Sequence, residues 1–192
     1  MAILSLFASG SGTNVENIIN YFKQPTKNIT IGAVFVNNPH AGVIERAQLA
    51  NIPVYIFNRN AFYHTENVQE KLQDYHVDAI ILAGFLWLVP DRLIQFFPHR
   101  ILNIHPALLP AYGGNGMYGM HVHRAVIANQ ERQSGITIHE VNGEYDRGKI
   151  IFQTACRVAP GDTPETLAAK VRRLEHRHFP RVIEEWVNAF TA

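Results

Sequence analysis

Stretches such as Ala79-Ile80-Ile81-Leu82-Ala83 offer no polar residue to either face of a strand, and between such stretches lie segments whose apolar residues recur at helical spacing. Strands buried on both faces are how a parallel sheet sandwiched between crossover helices reads in sequence. The near-continuous apolar run Ile3 to Phe7 ends at Ser9-Gly10-Ser11-Gly12, after which Val15, Ile18, Ile19 and Phe22 fall on one helical face. The unit recurs: strand at Ile29 to Val36, helix at Gly42 to Ala50, strand at Val54 to Phe57, helix at Glu66 to Tyr75, strand at Ala79 to Ala83.

After Pro90 the pattern predicts a short helix, a strand from Arg100 to Ile104, a loop rich in Pro and Gly from Pro106 to Gly119, and a helix from Val122 to Asn129. The loop is long for a compact domain, which favours a functional role. Gly135 to Val141 and Lys149 to Val158 read as a hairpin-like edge. Thr163 then caps a long last helix that begins at Pro164, with Leu167, Val171 and Leu174 on one face. The expected fold class is α/β: an open, doubly wound, mostly parallel, Rossmann-like sheet with helices on both faces. C-terminal edge strands and a long C-terminal helix complete it, and residues 1–192 form one domain.

Seventeen Lys+Arg against sixteen Asp+Glu leave a formal charge of +1, so no basic surplus points to nucleic acid. Hydrophobic residues make up 47% of the 192, enough for a sizeable core. The lone Cys156 excludes an intramolecular disulfide, and the opening MAILSLFASG has neither a basic leader nor the roughly 18 apolar residues of a membrane span. The expectation is a cytoplasmic protein that needs no membrane, and either a monomer or a homodimer.

Gly10-Ser11-Gly12-Thr13-Asn14 sits where the first strand meets the first helix, a place where backbone N–H groups and the helix dipole favour an anion. The same residues also read as a tight turn that needs glycine for its backbone angles. A dinucleotide fingerprint lacks its third glycine, and the second strand ends Val36-Asn37-Asn38 without an acid for a ribose. A Walker loop lacks its lysine.

Leu102-Asn103-Ile104-His105-Pro106 lies at the carboxyl end of a buried strand, where open α/β sheets place ligands. Asn103 and His105 project to one side because strand side chains repeat every two residues. An amide donor beside an imidazolium suits a developing oxyanion; a polar pair closing a strand is the structural alternative. Asp146, in the loop Asn142 to Gly148, can reach the same crevice, where a carboxylate favours the protonated imidazole and helps pass a proton through water. No G-x-S-x-G elbow is present.

With these pieces in order the chain resembles the folate-dependent formyltransferases over nearly its full length, and within them the members that formylate glycinamide ribonucleotide. The carriers are Ser9 to Asn14, Leu82-Ala83-Gly84-Phe85, Asn103-Ile104-His105-Pro106 with Leu108-Leu109-Pro110, His121-Val122-His123-Arg124, Gly135-Ile136-Thr137-Ile138-His139, and Asp146. The resemblance implies that an amine attacks the formyl carbon of 10-formyltetrahydrofolate, a co-substrate, with Asn103, His105 and Asp146 catalytic and no metal required. It implies further that Gly12, Thr13 and Asn14, with Arg172, hold the acceptor's phosphate, and that Ala107 and Glu175 contact the rest of the acceptor. The folate pocket it implies is built from Phe85, Leu86, Trp87, Leu88 and Val89, together with Leu102, Val141 and Tyr145. The partners are then small molecules.

The chain departs from the family pattern at Trp87, where arginine is common, at Ala107, where serine is frequent, at Arg147, where glycine is frequent, and in a longer loop from Ala111 to Gly119. Sugar-nucleotide formyltransferases and formyltetrahydrofolate hydrolases share the same core, although the hydrolases normally carry an N-terminal regulatory domain and this chain begins at the first strand. Outside enzymes, a phosphate-ligand module or a metal-binding protein using His121 and His123, or His176 and His178, is the contrast; residues two apart on a helix point about 200° apart, which argues against the second pair.

Overall fold

The computed structural model describes residues 1–191. Its elements run β1 (Ala2–Ala8), α1 (Thr13–Phe22), β2 (Ile29–Val36), α2 (Val43–Leu49), β3 (Val54–Ile56), α3 (Arg59–Tyr63) and α4 (Asn67–Asp74). They continue with β4 (Ala79–Leu82), α5 (Asp91–Phe96), β5 (Ile101–His105), α6 (Met120–Ala128), β6 (Gln133–Glu140), β7 (Ile150–Arg157) and α7 (Pro164–Thr191). The strands form one sheet in the order β3-β2-β1-β4-β5-β6-β7. β1 to β5 run parallel, while β6 and β7 add antiparallel, so the expected doubly wound sheet with a C-terminal edge is what the chain forms.

Strand alternation divides the core into two layers. Leu4, Leu6 and Ala8 of β1 pack with Val15 and Ile18 of α1, Val122 of α6 and Phe179 of α7, whereas Phe7 points the other way, to Phe62, Leu72 and Leu93 of α3, α4 and α5. This second layer is aromatic: Phe7 stacks on Phe35 at 4.8 Å and meets Phe85 edge-on at 5.4 Å, contacts that add roughly 0.5–1.5 kcal/mol per pair beyond the area they bury.

Helix α3 is absent from the sequence expectation. It is a single capped turn: Asn58 Oδ1 accepts from the Ala61 N–H at 2.9 Å, and Phe62 is its one fully buried residue, with Ala61 and Tyr63 packed against the same core. Helix α7 starts as expected, with Thr163 Oγ1 accepting from the Thr166 N–H and Pro164 in the first helical position. Among the described residues no helix is long and apolar enough to cross a membrane.

The chain turns in opposite directions from β1 to its neighbours β2 and β4, so the crevice outside the carboxyl ends of β1, β4 and β5 lies at a topological switch point. Ala8, Leu82 and His105 end those strands at the crevice.

Candidate active site

The crevice opens into a cavity of about 450 Å³ that reaches from Gly12 at the start of α1, past Asn103 and His105, to Trp87 and Tyr145. At one end Gly12 adopts a left-handed φ of 78° and precedes α1 without a side-chain cap, leaving the first N–H groups of a 10-residue helix free. A Cβ on Gly12 would lie 2.5 Å from Val43 Cγ2, so backbone angle and packing both demand glycine here. The bend is braced on two sides: the Val43 N–H donates to the Gly10 carbonyl at 3.1 Å, and the Leu86 N–H donates to Ser9 Oγ at 3.0 Å.

Thr13, Asn14, Arg172 and Glu175 border the same end. The Asn14 amide donates one N–H to Glu175 Oε2 at 2.9 Å, which ties the start of α1 to α7. Burial pushes the Glu175 carboxyl above its ordinary value, against the Asn14 hydrogen bond and the charge of Arg172.

At the centre the antiparallel register pairs Asn103 with His139. His139 Nδ1–H donates to the Glu140 carbonyl at 2.8 Å, which leaves Nε2 to accept from Asn103 Nδ2 at 3.0 Å. One N–H of the Asn103 amide is thereby fixed and the second remains for a ligand. His139 was not among the expected site residues, although Ile136-Thr137-Ile138-His139 was part of the resemblance. Reading β6 as an edge strand gives its alternation, and only the register with β5 reveals the contact.

Asp146 sits between the two histidines, with Oδ2 3.4 Å from His105 Nδ1 and Oδ1 3.5 Å from His139 Nε2. Gly114 N–H donates to Oδ2 at 2.9 Å. Burial raises the Asp146 carboxyl, but His139, His105 and the Gly114 N–H outweigh it, and the group is held below its ordinary value.

His105 departs from the sequence expectation. It is 3% exposed, and Nε2–H donates to the Tyr112 carbonyl at 2.7 Å. Burial lowers its pKa, and Asp146 and the Tyr112 carbonyl, which pull upward, do not recover the loss. The resting ring is therefore neutral, with its basic nitrogen Nδ1 facing Asp146; the imidazolium expected from the neighbouring carboxylate is not the resting state.

The far end is apolar. Phe85 and Val89 are buried beneath it, Leu86 is exposed at its lip, and Trp87, Leu88, Val141 and Tyr145 are half-buried around it. Trp87 belongs to the aromatic layer through Phe57 and Phe62, and the Arg59 guanidinium lies over its ring at 5.0 Å. The loop from Gly114 to Met120 closes the remaining side. Two expected residues do not reach the cavity. Leu102, 0% exposed, points into the opposite layer because it alternates with Asn103, and Ala107, 1% exposed, is packed inside with its carbonyl accepting from Thr137 Oγ1. A third histidine, His123 of α6, lines the cavity without having been assigned a role.

Among the described residues no group of three or more His, Cys, Asp or Glu could hold a metal ion. The pairs His121 and His123, and His176 and His178, each fall within a helix and diverge.

Residues 3–183 match the formyl transferase family. The phosphoribosylglycinamide formyltransferase of Bacillus subtilis (strain 168) is 34% identical over 189 residues, covering 96% of this chain and 94% of that protein. The chloroplastic phosphoribosylglycinamide formyltransferase of Arabidopsis thaliana is 42% identical over 94% of this chain, which spans 63% of that protein's length; for the Vigna unguiculata counterpart the span is 59%. The crystal structure of phosphoribosylglycinamide formyltransferase from Bacillus halodurans superposes with a TM-score of 0.86 at 34% identity, covering 95% of this chain and 94% of that one. A match that runs from β1 into α7, shared by sequence and by shape, makes this chain a member of the formyl transferase family.

Proposed function

We propose that the chain transfers the formyl group of 10-formyltetrahydrofolate to the primary amine of glycinamide ribonucleotide, a step of purine biosynthesis, in the cytoplasm and with small molecules as its partners. One observation carries the reading: a single cavity runs from the free N–H groups of α1, past Asn103, His105 and Asp146, to an apolar aromatic end. The first suits a phosphate, the last a flat pterin, and the polar trio stands between them. Relatives carrying this activity by name support the same assignment.

The chemistry follows from the resting protonation states. The acceptor amine adds its lone pair to the formyl carbon, the C=O π pair moves onto oxygen, and Asn103 donates its unused N–H to that oxyanion. The adduct nitrogen is then positive and must lose a proton. His105, neutral at rest, takes it on Nδ1, where the Asp146 carboxylate stabilises the new imidazolium. Collapse re-forms C=O, breaks the bond to N10 of the folate, and returns the proton to that nitrogen. Alignment of two bound substrates supplies the rest, up to roughly 7–11 kcal/mol in the ideal case. No step in this scheme calls on a metal.

The test is a comparison of acceptors. Purified protein with 10-formyltetrahydrofolate is offered glycinamide ribonucleotide, a sugar-nucleotide amine, or water alone, and free tetrahydrofolate is measured beside the formylated product. Stoichiometric formyl-glycinamide ribonucleotide is expected; faster transfer to the sugar nucleotide, or folate release with formate, defeats the proposal.

A further inference from the structure

His105 and Asp146 share a neighbour that the formyl-transfer scheme leaves out, the loop between β5 and α6. Its Tyr112 carbonyl accepts from His105 Nε2 at 2.7 Å, and its Gly114 N–H donates to Asp146 Oδ2 at 2.9 Å. Tyr112 holds a φ of 58°, a left-handed conformation that a bulky residue keeps only where its surroundings enforce it. The ring end is enforced just past α6, where Tyr112 Oη donates to Glu131 Oε1 at 2.7 Å and accepts from the Asn129 amide at 2.9 Å. The backbone end needs an anchor of its own.

That anchor comes from β6 and β7. Thr137 lies directly across from His105 in the antiparallel pair and is 0% exposed. Its hydroxyl donates to the Ala107 carbonyl at 2.7 Å and accepts from the Leu109 N–H at 3.0 Å. A second donor, Gln153 Nε2 on β7, reaches Thr137 Oγ1 at 2.8 Å and the Leu109 carbonyl at 3.0 Å. A hydroxyl has one proton to give and two lone pairs to fill, and here all are used. The clamp fixes the Ala107 carbonyl and both backbone groups of Leu109, a short step before Tyr112. Neither Thr137 nor Gln153 is among the residues that line the cavity.

What the clamp delivers is a tautomer. Which imidazole nitrogen carries the proton is set by the hydrogen bonds on offer to each. Asp146 Oδ2, 3.4 Å from Nδ1, would draw the proton to Nδ1, and that nitrogen could then accept none from a substrate. The closer Tyr112 carbonyl claims it for Nε2 instead, as long as the loop keeps that carbonyl in place.

We infer that Thr137, braced by Gln153, is a positioning residue that sets the tautomer of His105, holding the loop so that Tyr112 takes the Nε2 proton and Nδ1 stays free as the base. The inference deepens the proposed formyl transfer and rests on it for its kinetic consequence.

The test uses Thr137→Val, which keeps the shape of the side chain without the hydroxyl, Thr137→Ser, which keeps the hydroxyl, and Gln153→Met, which removes the brace from an exposed position on the edge strand. Nitrogen-15 spectra of histidine-labelled protein, taken where the ring is neutral and assigned with His105→Asn, report the tautomer. Wild type and Thr137→Ser should show a protonated Nε2 and a pyridine-type Nδ1. Thr137→Val should move the proton toward Nδ1 and lower kcat about tenfold, the usual effect of one hydrogen bond, with KM for glycinamide ribonucleotide and for 10-formyltetrahydrofolate within about twofold. Gln153→Met should shift tautomer and kcat in the same direction, by less. A Thr137→Val protein that melts lower but keeps the wild-type tautomer and kcat makes Thr137 a residue of the fold alone and overturns the inference. So does a Thr137→Ser protein as impaired as Thr137→Val, which would assign the effect to packing of the methyl group. If Thr137→Val fails to fold, Gln153→Met decides, and an unchanged tautomer there overturns the inference. Should wild type formylate none of the acceptors, the proposed function fails separately; the nitrogen spectra, recorded without substrate, still judge Thr137.

Discussion

Replacing Asp146 with asparagine keeps the shape of the side chain and removes its charge, which isolates what the carboxylate does for His105. At 3.4 Å from Nδ1, an ion pair with the imidazolium formed during transfer is worth about 1 kcal/mol at the dielectric of water and about 5 kcal/mol at an effective dielectric near 20. Asp146 is 10% exposed at its side chain, which places the site between those limits. At 1.36 kcal/mol per factor of ten, kcat for Asp146→Asn should fall about 10²-fold. The pH profile supplies the sharper reading. Turnover requires neutral His105, so activity falls as pH drops through its pKa, which burial already holds below the ordinary value. Asp146 is the charge that opposes that depression, so its removal should move the acid limb to lower pH even as the plateau drops. An acid limb that moves up or vanishes, with the plateau lowered, would identify Asp146 as the titrating base and refute the assignment of the proton to His105.

Three further outcomes are expected. Asn103→Ala should lower kcat by at least about 10² while leaving the melting temperature within a few degrees, the cost of one oxyanion donor; retained turnover removes the proposed role. Gly12→Ala should raise the acceptor KM and cost about 1–3 kcal/mol in urea unfolding, because its φ of 78° and the Val43 contact both resist a Cβ; an unchanged midpoint would show that the bend relaxes without strain. His123, whose pKa is depressed in the folded state, contributes stability that is complete above the unfolded value near about 6.5 and is lost as pH falls toward its folded value. The stability of His123→Leu relative to wild type should therefore grow as the solution is acidified through that window, and a gap independent of pH would contradict the depressed pKa. Subtraction matters here because Glu175, shifted upward, works in the opposite direction over the same range in both proteins.

The sheet was readable because both-face burial leaves a plain trace: Ala79 to Leu82 can only be an inner strand. Helix α3 was not, since one turn capped by Asn58 and anchored by Phe62 has too few residues to show a period. The same two-residue repeat that puts Asn103 and His105 together puts Leu102 on the other face, so strand alternation alone keeps Leu102 out of the cavity, against the folate contact that the resemblance implies. His139 and His123 are a different matter. The first gains its meaning from an antiparallel register set by β6, the second from the packing of α6 against α7, and neither relation is local in the chain. The neutral state of His105 was also out of reach, because it is decided by how much protein surrounds the ring and not by which residues flank it.

In the proposed transfer one carbon passes from folate to amine above Asn103, His105 and Asp146. A single-turnover experiment with ¹³C-labelled formyl donor, enzyme in excess and glycinamide ribonucleotide present tests it directly. The label should appear in the formamide of the product, at a rate lowered by about 10² in Asn103→Ala. Label recovered as formate, or transferred at equal rates by wild type and variant, would contradict it.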